Sequence, residues 1–260
     1  MTAVTLIENV AIGDVPPTPA QPIIDDALTP IATESLMTIG RSYGFPIGYI
    51  QEQKGQLIQN ILPVHKTESQ QISTSSKTEL QLHTETAFHP YKPSYVMLLC
   101  MRGDPNAVTT YSLVEDVLEE LTEEQIAILQ HPLFITSIDQ SFRTDGEPDM
   151  ELKTQILRFV KPAQTIEFTF DWAFMRGMND EASHALSAVR DAIGKTVRDV
   201  VLKAGDLFII DNKCVVHGRK PFQARYDGTD RWLKRLLVKS TRPPKAFITG
   251  NTITMRFPAK

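Results

Sequence analysis

HTETAFHPYKPSYVMLLCM, residues 83–101, decides how this chain is read. It opens with His83-Thr84-Glu85, turns through Pro90-Tyr91-Lys92-Pro93, and enters an uncharged apolar run from Tyr95 to Met101. A short apolar run bounded by turn residues is the pattern of a strand buried on both faces. In an extended segment, residues i and i+2 point to the same side, so His83 and Glu85 can reach one ion. The triplet alone is weak, because coincidences of His and Glu are common. Its weight depends on a third ligand and on the fold around it.

The flanking segments predict that fold. Residues 13–30 are rich in Pro and Asp and read as extended, making 1–30 an N-terminal arm. Residues 31–43 have helical spacing and end at Gly44, a C′ position. The Ser/Thr-rich stretch 64–79 is a loop, and it lies beside the triplet where either a lid or a plain surface loop would sit. Residues 113–130 predict one or two helices, with Ser112 capping the first and Thr122 and Gln125 spaced as a capping box. Strands are expected at 132–138, 153–160, 164–170, 197–202, 207–211 and 232–239, with a short one at 252–257. Residues 180–193 predict an amphipathic helix starting near Asn179 and stopping at Gly194. Many short, turn-punctuated strands with a few helices predict a mostly β fold with flanking helices, a double-sheet jelly roll. A generic α+β packing also fits the periodicity. The chain reads as one domain, 1–260, with its core at 55–240.

Bulk properties exclude several functions. The 260 residues are 42% hydrophobic, enough for one sizeable core. The net charge of −4 and the absence of a basic cluster argue against nucleic acid as a partner. The longest apolar runs are too short for a bilayer, so no membrane span is expected. The opening MTAVTLIENVAIGDVPP lacks the basic and apolar regions of a secretory leader. Cys100 and Cys214 both sit in apolar runs, which favours free thiols and a cytoplasmic location.

Of the six histidines, the five other than His83 compete for the third ligand position. His65 and His131 have no partner nearby in sequence and read as surface or structural. His184 lies on the exposed side of a helix, and His89 lies on the far side of the triplet. His217 follows the apolar strand and turn LFIIDN, a rigid way to deliver a ligand. A lone histidine near an apolar strand is ordinarily a satisfied core residue, but the downstream segment argues otherwise. In Asp230-Arg231-Trp232-Leu233-Lys234-Arg235-Leu236-Leu237-Val238, alternation puts Arg231, Leu233, Arg235 and Leu237 on one face. Inward arginines are costly unless each meets an anion, and their planar forks suit carboxylates. Exposed arginines on an edge strand would be the alternative without His217. Two histidines and one carboxylate can hold one face of Fe(II), leaving the other open. They also suit Zn(II) in a hydrolase.

Three segments, HTETAFHPYKPSYVMLLCMRGD, KAGDLFIIDNKCVVHGR and YDGTDRWLKRLLV, resemble in order and spacing the clavaminate synthase-like branch of the Fe(II)/2-oxoglutarate dioxygenases. That branch is a relative of the taurine dioxygenase family. Within it the likeness is nearest to the free-amino-acid oxygenases: arginine, asparagine and lysine hydroxylases and the compact radical lysine halogenases. The resemblance implies a distorted jelly roll, or double-stranded β-helix. It implies iron on His83, Glu85 and His217, and the distal carboxylate of 2-oxoglutarate on Arg231. Thr110 is the better match for an assisting threonine, with Thr109 as the alternate; simple β-propensity explains both equally well. The related halogenases replace the carboxylate ligand with a small residue, so Glu85 implies hydroxylation.

The same resemblance aligns Arg235 with the arginine that holds the substrate carboxylate. Asp171, 46 residues before His217, aligns with an acidic residue near the substrate side chain, and Gln59 with a contact to the substrate amine. A solvated turn is the plain alternative for Asp171. A charge-reading pocket implies a free basic amino acid (lysine, arginine or ornithine) as substrate. Asparagine, glutamine and citrulline are the alternatives, and desaturation is the alternative outcome. Fe(II), 2-oxoglutarate and O2 are the implied cofactors, with succinate and CO2 released.

Overall fold

The apolar run at 95–101 is buried on both faces because two different layers cover it. In this computed structural model, which describes residues 2–139, 142, 151–160 and 165–254, the strands are β1 (Val4–Ile7), β2 (Phe45–Tyr49), β3 (Ile58–Ile61), β4 (Leu80–His83), β5 (Tyr95–Arg102), β6 (Thr109–Leu113), β7 (Phe134–Ser137), β8 (Glu151–Thr154), β9 (Leu157–Val160), β10 (Thr165–Phe168), β11 (Met175–Gly177), β12 (Arg198–Val200), β13 (Leu207–Asp211), β14 (Val215–Arg219), β15 (Trp232–Lys239), β16 (Ile248–Thr249) and β17 (Thr252–Ile253). The helices are α1 (Pro30–Tyr43), α2 (Val114–Glu119), α3 (Glu123–Leu129) and α4 (Asp180–Thr196). The result is mostly β with flanking helices, a jelly-roll-type arrangement.

The larger sheet runs β1-β13-β5-β15-β2-β17-β16, with β3 also pairing β15. A smaller sheet runs β12-β6-β14-β4. Val96, Leu98, Cys100, Leu233 and Leu237 of the large sheet pack with Leu113 and Val215 of the small one. Met97, Leu99 and Met101 point the other way, onto Ala32 and Leu36 of α1. Gly40 lets α1 approach closely, since an added Cβ would lie 2.3 Å from Leu236. The outer face of the small sheet is covered in turn by α4, whose Leu186 and Val189 cluster with Val216.

Several expectations are revised. The N-terminal arm is not merely extended: Val4–Ile7 pairs antiparallel with β13 at the sheet edge. The core therefore draws on residues outside 55–240, including β1, β2 and β17. Ser112 does not cap α2, whose N-cap is Leu113 without a side-chain bond. Ser112 lies in β6, and its hydroxyl is 2.7 Å from that of Thr196. The Thr122–Gln125 capping box forms as expected. Gly194 does not stop α4: the helix continues to Thr196, because Gly194 is not among the residues with positive φ. The expected strand at 153–160 is two strands, interrupted where buried Ile156 donates its N–H to Leu129. Residue 164 and residues 255–257 of two other expected strands lie outside the described residues. No helix among the described residues is long and apolar enough to cross a membrane.

Gly218 follows His217 on β14, and an added Cβ there would sit 2.4 Å from the Leu80 carbonyl. Gly218→Ala should therefore push β4 from β14, costing about 1–3 kcal/mol by overpacking. Urea unfolding midpoints, with Fe(II) titration of the folded fraction, would check both the stability loss and a weakened metal site.

Candidate active site

The triad is assembled by strand register. His217 on β14 stands directly opposite His83 on β4. Their rings lie 4.7 Å apart, and His217 Nε2 is 3.4 Å from Glu85 Oε2. One ligand atom from each of His83, Glu85 and His217 falls within 4.8 Å of the others. His217 is thus a mid-strand ligand, one strand later than expected. The chain crosses from the large sheet at β13 to the small sheet at β14 through the turn 212–214, so the histidine is carried by the second sheet.

The donor set suits a divalent metal. His83 Nδ1 lies 2.7 Å from the Gln81 carbonyl, which fixes it as the donor nitrogen and leaves Nε2 for a metal. Burial pushes the His217 imidazole toward its neutral, ligating form, with Glu85 pulling the other way. Burial opposes ionisation of Glu85, but Arg235 and then His217 outweigh it and hold that carboxyl well below the usual carboxylate range. Two imidazoles and one carboxylate on one side of a common point fit Fe(II).

Asn212 holds this geometry, and sequence reasoning passed over it as a strand end. Its Oδ1 accepts the Glu85 N–H at 2.6 Å, and its Nδ2 donates to the Glu85 and Pro93 carbonyls. The only sequence signal was its place in the turn after an apolar strand. Arg219 was also missed. It is buried and donates to the Ser75 and Thr78 carbonyls, tying β14 to the 64–79 loop. Residues 71–73 of that loop line the pocket beside the triad.

The two arginines do face the pocket, with unequal partners. Arg231 is buried and donates to Thr109 Oγ1 at 3.2 Å, with no ion pair among the described residues. Burial pulls its pKa down to about 10. Thr109 lines the pocket with it; Thr110, the expected better match, sits on the other face of β6 toward Gly218. Arg235 is already engaged. Its NH1 donates to Glu85 Oε1 at 2.8 Å, its Nε to Gln59 Oε1 at 2.8 Å, and its NH2 to both Glu52 and Gln59. A guanidinium has five N–H donors, so those four bonds leave one NH1 hydrogen.

Asp171 forms an isolated bridge with His83 and accepts the N–H groups of Ala173 and Phe174, so the turn expected as its plain alternative is real. It is also buried and lines the pocket, together with Asp139 and Glu52, which sequence reasoning missed. These two come from distant segments and carried no local pattern. Burial first, and then Asp171, Glu85 and Glu52, push the Asp139 carboxyl well above the ordinary Asp range. Burial likewise raises Asp171. The other histidines stay apart: His65, His131 and His184 are exposed, and buried His89 packs edge-on to Tyr49.

A His-Glu-His face and a buried arginine without an ion pair among the described residues share one pocket, the arrangement of a 2-oxoglutarate-dependent, non-haem iron oxygenase. Residues 27–237 match the taurine catabolism dioxygenase TauD, TfdA family, and the chain belongs to that family. It is 32% identical to an L-lysine 3-hydroxylase of Catenulispora acidiphila over 95% of this chain and 70% of that one. It is 34% identical to an enduracididine beta-hydroxylase of Streptomyces hygroscopicus, covering 77% of this chain and 64% of that protein. Among solved structures it is similar to asparagine oxygenase in complex with Fe(II), 2S,3S-3-hydroxyasparagine and succinate. That TM-score is 0.86 at 29% identity, covering 97% and 80% of the two chains. The non-haem iron oxygenase OrfP, in complex with Fe, succinate and (3S)-hydroxy-L-Arg, gives a TM-score of 0.84 at 29% identity over 97% and 82%.

Replacing Asn212 with Ala removes the clamp on Glu85 while sparing every ligand. Metal affinity should fall about 10–100-fold, as for other supports of metal ligands. Titration with Co(II), read by its visible spectrum, would measure it.

Proposed function

We propose that this chain hydroxylates an unactivated carbon of a free L-amino acid with a basic side chain, lysine, arginine or ornithine. The observation that carries this reading is the carboxylate pair, half-buried Asp139 and buried Asp171, on the wall of the pocket that also contains the triad. Two acids crowded together away from water are relieved by a cation, which a basic side chain supplies. Likeness to a lysine 3-hydroxylase and an L-ornithine/L-arginine 3-hydroxylase supports the same class. The two facing sheets read as the walls of a distorted double-stranded β-helix in a single domain, with 64–79 as its lid.

Fe(II) held by His83, Glu85 and His217, with 2-oxoglutarate and O2, would supply the oxidising power to break a C–H bond, releasing succinate and CO2. The protein's part is placement. Arg231, steadied by Thr109, would take the distal carboxylate of 2-oxoglutarate. Arg235 would offer its remaining hydrogen to the substrate carboxylate, while Glu52 presents a carboxylate to the substrate amine. Gln59, whose Oε1 already accepts twice from Arg235, would act by holding that guanidinium in place. Glu85 fills the position a halide would need, which favours hydroxylation. An amide side chain is the second reading, favoured by 33% identity to an L-asparagine oxygenase of Streptomyces coelicolor. The free thiols Cys100 and Cys214 fit a cytoplasmic setting.

Mass spectrometry of all twenty amino acids plus ornithine and citrulline, incubated with Fe(II), 2-oxoglutarate and air, should give a +16 product from a basic one (the mass of one oxygen atom). A product two mass units lighter would mean desaturation, and succinate release with no basic product would sink the substrate assignment. Anaerobic Fe(II) with 2-oxoglutarate should give a weak visible charge-transfer band; its absence, with zinc-dependent hydrolysis, would favour the hydrolase. Arg231→Ala should raise the KM for 2-oxoglutarate about 100-fold, the loss of a buried charge-assisted contact. Iron binding should be retained. Asp139→Asn should raise KM for a basic substrate and leave that for 2-oxoglutarate unchanged. Arg235→Ala is the less specific probe, because it also unpairs Glu85.

A further inference from the structure

A second cavity, of about 600 Å³, lies behind the segment that follows the triplet. Its lining includes Lys92, Lys153, Arg158, Lys213 and Lys239, and Glu167 is the sole carboxylate among its described lining residues. Arg158 is 3.6 Å from Glu167, and Lys213 is 3.4 Å from Asp211. Lys92, Lys153 and Lys239 have no carboxylate partner among the described residues. Lys92 Nζ donates to Thr169 Oγ1 and Lys239 Nζ to the Lys92 carbonyl at 3.0 Å, both neutral acceptors. Burial, opposed by Glu167 and assisted by Lys239, pulls the Lys92 ammonium down to about 8. Burial also lowers Lys239.

Like charges gathered in a half-buried cavity are costly unless an anion joins them. Lysine ammonium groups act as point charges suited to a phosphate, whose several oxygens can meet several lysines at once. Thr169 and Ser240 line the same space, and their hydroxyls can donate as well. The volume is that of a small-molecule site rather than an ion-sized notch. We propose that this cavity binds a phosphate-bearing small molecule at a site separate from the iron centre. The phosphate could be free or carried on an organic group; both present the same chemistry to the lysines. Asn212 joins the two sites, since it holds Glu85 on one side and the Pro93 and Ser94 carbonyls of the cavity wall on the other.

Calorimetric titration of the full chain at constant ionic strength, with inorganic pyrophosphate and with ADP, tests this. Saturable binding of at least one is expected. Lys92→Met and Lys239→Met should each weaken it about tenfold, the loss of one charge-assisted contact. Arg231→Ala should leave it unchanged. Pyrophosphate binding the tighter identifies free phosphate as the ligand; ADP binding the tighter identifies phosphate on an organic carrier. Should either variant fail to fold by circular dichroism, the exposed Lys153→Met should still weaken binding about threefold. Binding that survives the lysine substitutions, that disappears in Arg231→Ala, or that gives no more heat than matched KCl overturns the proposal.

Discussion

Arg235 and Glu85 form an ion pair inside the protein, and the site depends on it. Neither charge could be buried alone, because the cost of stripping water from one ion exceeds what a small domain can spare. Together they can be. The pair keeps Glu85 ionised for metal, and Arg235 on Oε1 leaves Oε2 facing His217. Glu52 and Gln59 then fix the guanidinium from its other edge. Glu85 and the Arg235–Glu52–Gln59 cluster are therefore one electrostatic unit, so under the proposed roles a change at Arg235 also disturbs the metal ligand.

Such a unit needs a rigid frame, which β15 and β5 supply. Each is a central strand with one face on the sheet-to-sheet core and the other on the layer under α1. Along β15 the alternation sends Arg231, Leu233 and Arg235 to the pocket, while Trp232, Leu236 and Val238 join the outer layer. Lys234 also points outward. It is fully buried, and its ammonium meets Asp26 at 3.1 Å and Thr33 at 3.2 Å, fastening the arm and α1 to the strand. Three cations within five residues thus reach three different partners because a strand has two faces.

Those parts were legible in the sequence because they follow local period. The i, i+2 spacing of His83 and Glu85, the alternation of Arg231 and Arg235, and the uninterrupted apolar run of β5 each survive folding unchanged. What was illegible depends on contacts between distant segments. Glu52 and Asp139 become pocket residues only when separate loops converge, and Asn212 becomes a clamp only when the turn before β14 meets the triplet. Thr109 and Thr110 sit side by side, and similarity favoured Thr110; strand phase instead turns Thr109 toward Arg231 and the pocket. Val4–Ile7 was too short a run to stand out from the arm around it. Gly194 had the composition of a stop without the left-handed backbone that makes glycine one.

That N-terminal strand has a consequence for handling the protein. β1 covers the outer hydrogen-bonding edge of β13, and β13 lies next to β5 at the centre of the large sheet. A chain trimmed before residue 8 would keep its entire catalytic machinery yet present the bare N–H and C=O groups of Leu207–Asp211, a strand of apolar residues ending in one aspartate. Such an edge is a template for strand addition from a neighbouring molecule. Truncation would thus show itself as self-association in concentrated solution, while dilute samples would turn over substrate normally.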